Sequence, residues 1–299
     1  MQLCFDAERF GLGLIETIAL AKANGLSCVE FTVQPFSIKS TKNTSKEAFD
    51  KQTISAKEKK YLAEVKAASK EASVEIACLN LNYCLQVGKP KAVANFHSMI
   101  SKIAHTAKSI GCRRLSFWLS ASNEDNWLEN CEKALSQAAT ICQEFDVKLI
   151  LNCATYPDFI GKSLRLWQPL SPNNWRHLLS TCPELSLSLS PADCFWQGID
   201  YLQVLPAFIA ACEKINVFDV ELNREMIADS GLFGPLFWRY RLPGAGQIDW
   251  RNLIEALKLY DFQGYLSFNL ADEFVEEKID DLNQALATSV EWLSPMLRQ

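Results

Sequence analysis

Residues 185–200 read LSLSLSPADCFWQGID. Leu185, Leu187 and Leu189 alternate with serines, the period-two pattern of a strand with one apolar face. Pro191 cannot continue a hydrogen-bonded ladder, so the strand is expected to run into a loop. The strand ends on Ser190, a small neutral side chain.

Working outward, strand-like and helix-like segments alternate along the chain. Strands are expected at 2–6, 28–33, 74–80, 113–119, 147–152, 185–190, 214–220 and 264–270. Helices are expected near 12–24, 56–72, 91–110, 124–145, 201–213 and 249–260, with a last one running to about Leu293. Gly25 and Gly111 close two of them, and Ser171 with Pro172 opens another as N-cap and first helical residue. The polar stretch SIKSTKNTSKEAF (37–49) reads as a mobile loop, and Glu221–Ile248 as a long connection. Eight β/α units without a linker predict a single α/β domain over residues 1–299, a (β/α)8 TIM barrel. A doubly wound sheet would need a Gly-rich first turn, which is missing.

Composition sets bounds on function. Of the 299 residues, 48% are hydrophobic and 22% charged, enough for a large core. A net charge of −5 gives no reason to expect nucleic acid or an anionic membrane as partner. MQLCFDAERF lacks the pattern of a secretory signal, and no apolar run reaches a membrane span, so a soluble cytoplasmic protein is expected. The eleven cysteines show no CxxC pair, which suits free thiols in a reducing compartment. The three histidines, His97, His105 and His177, lie on helical patterns without zinc-binding spacing. P-loop, dinucleotide-binding and GxSxG motifs are absent.

In such a barrel the chemistry sits at the C-terminal ends of the strands. Here those ends are Asp6, residues 32–34, 80–83, 118–120, 151–153, 190–193, 216–219 and 269–272. The mouth is rich in Asn, Ser and aromatic residues and poor in carboxylates and histidine, a lining suited to sugars.

Several of these stretches resemble the xylose isomerase-like barrels, the sugar phosphate isomerase and epimerase group. SPADCFWQGID resembles that group's DPSHxxWQGID, DVELNRE the end of HVHAKDxELNRE, and FWRYRLPGAGQIDW its WWRYRLPGWGEVDW. LILNC is similar to IAIENC and QGYLSFNLADEF to DGxLSIEHED, so the likeness is strongest over about 147–274. The resemblance implies one divalent cation held by Glu, Asp, His and Glu, which polarises neighbouring sugar oxygens. Aligned on flanking residues, these ligands fall at Leu151, Ser190, Asn216 and Asn269, and the histidine after the DPS motif falls at Asp193. A hard cation needs carboxylate charge, and this set has none. The expectation is a dismantled site without metal or other cofactor.

Asp193, Asp219 and Glu221 are acids near the mouth that could form a substitute site, or cap a turn and pair with a Lys or Arg. Arg239 and Arg241 could grip a carboxylate or phosphate, or tie the long connection to its own acids. Cys84, Cys153 and Cys194 could face the mouth, but nothing nearby lowers a thiol pKa. Trp118, Phe195, Trp196, Trp238 and Tyr240 could stack on sugar faces or close the mouth as core. The candidate ligand-binding set is Asn80, Trp118, Asn152, Ser190, Asp193, Asn216, Arg239 and Asn269, with no catalytic residue assigned.

Two function classes compete. One is a metal-free homologue that binds a small sugar-like molecule or a partner subunit, as a homo- or hetero-oligomer. The other is a keto-sugar isomerase, epimerase or lyase working through a non-standard site. An AP-endonuclease-like repair enzyme shares the fold, but it needs a multi-metal cluster and a basic groove.

Overall fold

Period-two alternation separates the two faces of every strand, and in this chain it sends apolar side chains outward and polar ones inward. The computed structural model describes residues 1–7, 12–33, 56–120, 124–153, 158–160, 163–165, 170–232, 234–272, 274–275 and 279–298. The first half runs β1 (Gln2–Asp6), α1 (Leu14–Ala23), β2 (Cys28–Val33), α2 (Ala56–Ala72), β3 (Glu75–Leu85), α3 (Pro90–Ile110), β4 (Arg114–Leu119) and α4 (Trp127–Glu144). It continues with β5 (Lys148–Asn152), a small hairpin of β6 (Asp158–Ile160) and β7 (Ser163–Arg165), α5 (Pro172–Thr181) and β8 (Leu185–Leu189). Then come α6 (Pro191–Trp196), α7 (Tyr201–Phe208), β9 (Cys212–Val217), β10 (Asp219–Leu222), α8 (Arg224–Ser230) and β11 (Trp238–Arg241). α9 (Trp250–Leu259), β12 (Tyr265–Asn269) and α10 (Ile279–Arg298) complete the chain.

Strands β1, β2, β3, β4, β5, β8, β9 and β12 close into one parallel barrel, with β12 paired to β1 in the register Asp6 to Asn269. This is the expected (β/α)8 barrel. Leu185, Leu187 and Leu189 lie in the apolar layer between sheet and helices, together with Leu135 and Ala138 of α4 and Trp175 of α5.

The structure differs from the sequence reading in four places. A short helix, α6, replaces the loop expected after Pro191, because the Ser190 Oγ accepts from the Asp193 amide at 3.3 Å and Pro191 takes the first helical position. α7 stops at Phe208 and β9 starts at Cys212 rather than Lys214, where Cys212 pairs with Leu187. β3 runs on to Leu85. The connection 221–248 carries most of an antiparallel hairpin, β10 with β11, that straps the mouth. The polar stretch 37–49 and Gln34 lie outside the described residues.

The lumen departs from the usual filling of branched apolar side chains. Lys214, only 3% exposed, reaches from β9 to Glu30 on β2, with Nζ to Oε2 at 2.5 Å. The same Nζ lies 3.3 Å from the Asn80 Oδ1, which also accepts from the Ser116 hydroxyl at 2.6 Å. The Asn80 Nδ2 donates to Glu30 at 2.8 Å and to Asp6 at 3.1 Å. Five strands are thus joined across the lumen. At the opposite end of the barrel Arg114 donates to Glu213 at 2.8 Å and to the Tyr265 hydroxyl at 2.9 Å, and Lys148 pairs with Glu213.

Burial alone pushes the Lys214 ammonium toward neutrality, yet Glu30 and Asp6 hold it above the ordinary lysine value. Lys214 is therefore held in its charged form, in salt-bridge contact with Glu30. Replacing Lys214→Met strands the Glu30 carboxylate in the lumen and is expected to cost about 3–5 kcal/mol. Adding Glu30→Gln to that variant is expected to restore at least half of the loss, because no uncompensated charge remains. Urea unfolding of the single and double variants measures both; a double variant no more stable than Lys214→Met contradicts an ionic origin for the loss.

Candidate functional site

Residues in parallel register share a face of the sheet, which fixes what lines the mouth. Asn152 pairs with Ser188, and the Ser188 Oγ accepts from the Asn216 Nδ2 at 3.3 Å. Asn216 lies beside Ser267, and Asn269 beside Asp6. Asn152, Asn216 and Asn269 therefore face one lumen from β5, β9 and β12, just above the Lys214–Glu30 network.

Leu151 corrects the alignment made from sequence. It lies fully buried in the apolar layer outside the sheet, and alternation makes its neighbour Asn152 the inward side chain of β5. The positions at which the resemblance implies ligands are thus Asn152, Ser190, Asn216 and Asn269. All four are neutral. Ser190 spends its hydroxyl on capping α6, and Asn216 directs its amide nitrogen at Ser188. Among the described residues no group of three or more His, Cys, Asp or Glu is placed to hold a metal ion. This donor set does not fit a divalent cation.

The acids beside the mouth hold the protein together. Asp193 is buried; its Oδ1 accepts from the Tyr240 hydroxyl at 2.6 Å and from the Trp196 Nε1 at 3.1 Å. It does not cap the turn, since Ser190 does that. Asp219, expected to pair with a Lys or Arg, instead accepts from the amides of Val220, Gly244 and Ile248 and from the Trp250 Nε1. A side chain at residue 246 would stand 2.3 Å from the Asp219 Oδ1, so Gly246 is needed for this approach. Arg239 and Arg241 pair with Glu221, and Arg241 also with Asp272 at 3.1 Å, tying strap to barrel.

The aromatic residues divide. Trp196 stacks on Trp238 with centroids 3.9 Å apart and planes at 8°, and both are buried. Tyr240 meets Phe218 edge-on. Trp118, half-buried at the end of β4, and Phe195 keep open surface. Cys153 and Cys194 are buried in the apolar layer, where desolvation pushes both thiols well up, so neither is a ready nucleophile. All eleven cysteines are free thiols.

Of the candidate set, the lumen brings together Asn80, Asn152, Asn216 and Asn269, with Asn80 committed to Asp6, Glu30 and Ser116. Ser190, Asp193 and Arg239 serve α6 and the strap. Sequence reasoning missed Glu30 and Lys214. Their signal was a lone charge at an inward position of CVEFTV and of KINVFDV.

Fold and site together define a (β/α)8 barrel with a polar mouth in which the described residues form no carboxylate and histidine cage. A family model described as xylose isomerase-like TIM barrel matches residues 18–296, and the chain belongs to that family. Among solved structures it is similar to 3-keto-D-glucoside 4-epimerase YcjR from E. coli, with TM-score 0.67, 14% identity and 99% of each chain covered. It is also similar to D-psicose 3-epimerase with D-tagatose from Clostridium cellulolyticum H10, with TM-score 0.71, 8% identity and 99% of each chain covered. The IolI protein with a binding zinc atom gives TM-score 0.71 at 15% identity, covering 100% of both chains. At these identities the likeness is one of fold. No curated protein matches the sequence at a significant level. No helix among the described residues is long and apolar enough to cross a membrane.

Burial raises the Asp193 pKa, only partly offset by the hydrogen bonds from Ser190, Tyr240 and Trp196. A carboxyl whose folded pKa lies above its unfolded value of about 4 favours folding below that value and costs stability as pH rises through the folded one. Asp193→Asn, which keeps the accepting oxygen, is therefore expected to gain stability over the parent as pH rises from 4 to 8. Asp193→Ala, which leaves the Tyr240 and Trp196 donors unpaired, is expected to lose about 1–3 kcal/mol. Denaturation midpoints across that pH range check both.

Proposed function

We propose that the protein is a metal-free member of its family that binds a sugar-like molecule at the barrel mouth through an amide ring. One observation carries the reading. The side-chain amides of Asn152 and Asn269 face the lumen and make no hydrogen bond with any described residue, while Asn216 holds only Ser188. An amide offers donors and an acceptor together, which is what a sugar hydroxyl requires. Trp118 supplies an aromatic face at the same rim. The structural neighbours named as ketose and keto-glucoside epimerases lend support from the class of molecule they act on.

Ketohexoses are expected to bind without divalent metal. Calorimetric titration of D-tagatose and D-psicose in chelator-containing buffer tests this directly. Asn152→Leu combined with Asn269→Leu is expected to lower affinity by at least about tenfold, since two amide bonds are worth about 1–3 kcal/mol together. No heat with any ketose, or unchanged affinity in the double variant, contradicts the reading.

A further inference from the structure

We propose that Cys84 is a thiol-modification site at the barrel mouth, where a mixed disulfide with a small-molecule thiol closes the ligand site. The blocking rests on the binding reading above, whereas the modification itself does not. Exposure sets this thiol apart. Cys84 is half-buried, while the other ten cysteines are buried. Burial also pushes the Cys112, Cys142 and Cys212 thiols up to about 12, which leaves almost no thiolate at neutral pH.

Register places the exposed thiol. Cys84 on β3 pairs with Trp118 on β4, and residues in parallel register share a face. Trp118 lies two positions beyond Ser116, whose hydroxyl bonds Asn80 inside the lumen. Trp118 therefore points inward at the mouth, and Cys84 with it. Their successors Leu85 and Leu119 are buried in the outer apolar layer, as alternation requires. The pairing of Phe117 with Leu151 brings Asn152 into the next place along this row. Asn152 supplies a second observation, independent of the thiol. It is only 5% exposed, and its amide faces the lumen with no hydrogen bond to a described residue. A group attached to Cys84 thus lies beside the aromatic face and the amide that the ligand needs.

The step is a thiol–disulfide exchange with a disulfide of the glutathione class. The Cys84 thiol gives its proton to solvent, and the thiolate attacks one sulfur of the reagent. The reagent's S–S bond breaks, a new one forms to the Cys84 Sγ, and the other half leaves as a thiolate. Cys153 and Cys194 lie in the apolar layer, so neither is placed to resolve the adduct. It persists until an external thiol reverses it.

The test incubates the intact protein with glutathione disulfide near neutral pH. Peptide mapping is expected to find the glutathionyl group on Cys84. Calorimetric titration of the adduct is expected to show D-tagatose binding weakened at least about tenfold, since the Asn152 amide is denied to the ligand. Dithiothreitol restores it. Cys84→Ser given the same treatment is expected to carry no adduct and to keep its affinity. An adduct on other cysteines in place of Cys84, no adduct at all, or unchanged affinity in the Cys84 adduct overturns the inference while leaving sugar binding intact. An untreated protein that binds no D-tagatose defeats the sugar reading and the blocking with it, and the map then decides the modification site alone.

Discussion

The contact between the Lys214 ammonium and the Glu30 carboxylate, 2.5 Å apart inside the barrel, is the interaction on which the rest of the structure depends. It joins β9 to β2 across the lumen, and through Asn80 it reaches β1, β3 and β4. An isolated charge in that interior would be strongly unfavourable, so each partner makes the other tolerable. The network also sets what can lie above it. A fixed ammonium already occupies the centre of the lumen, and the inward side chains at the positions where the family resemblance implies ligands are amides and a hydroxyl. A divalent ion would bring a second positive charge to a set of neutral donors.

The same economy of side chains explains the strap. Asp219 gathers three backbone amides and the Trp250 indole, and this bends the chain after β11 back toward α9. The approach is so close that only glycine is tolerated at position 246. Arg241 then bridges Glu221 and Asp272, both of which it holds below the ordinary carboxylate range. For Asp272, burial opposes this and the amides of Phe274 and Leu242 assist it. The blocks WQGID and WRYRLPG are thus legible as architecture: the first runs from the last residue of α6 to the Asp200 cap of α7, and the second belongs to the strap. The Asp193–Tyr240 bond and the Trp196–Trp238 stack join the two.

Much of the fold was open to reading in the sequence because alternation and capping are local. Strands β1 and β2, helix α2, and the Ser171 cap appear where residue pattern places them. The helix after Ser190 was missed because a six-residue helix is too short for periodicity, although its serine and proline were a sufficient cap signal. Leu151 was misplaced because alignment on neighbours ignores which way a strand residue points; the alternation of Leu149 and Leu151 already put Asn152 inward. Glu30 and Lys214 were passed over for a different reason. A charge at an inward strand position marks Glu30 and Lys214 as unusual, but their roles arise from partners on strands far apart in the chain, which no local pattern names.

The central claim, that the side chains at this mouth do not fit a divalent cation, is tested most directly by metal-linked stability. A ligand that binds only the folded state raises the melting temperature in step with the logarithm of its concentration. Scanning calorimetry of the chelator-stripped protein, repeated at increasing Mn²⁺, is predicted to give one unchanged melting temperature. A melting temperature that climbs steadily with Mn²⁺ and returns on adding chelator would contradict it.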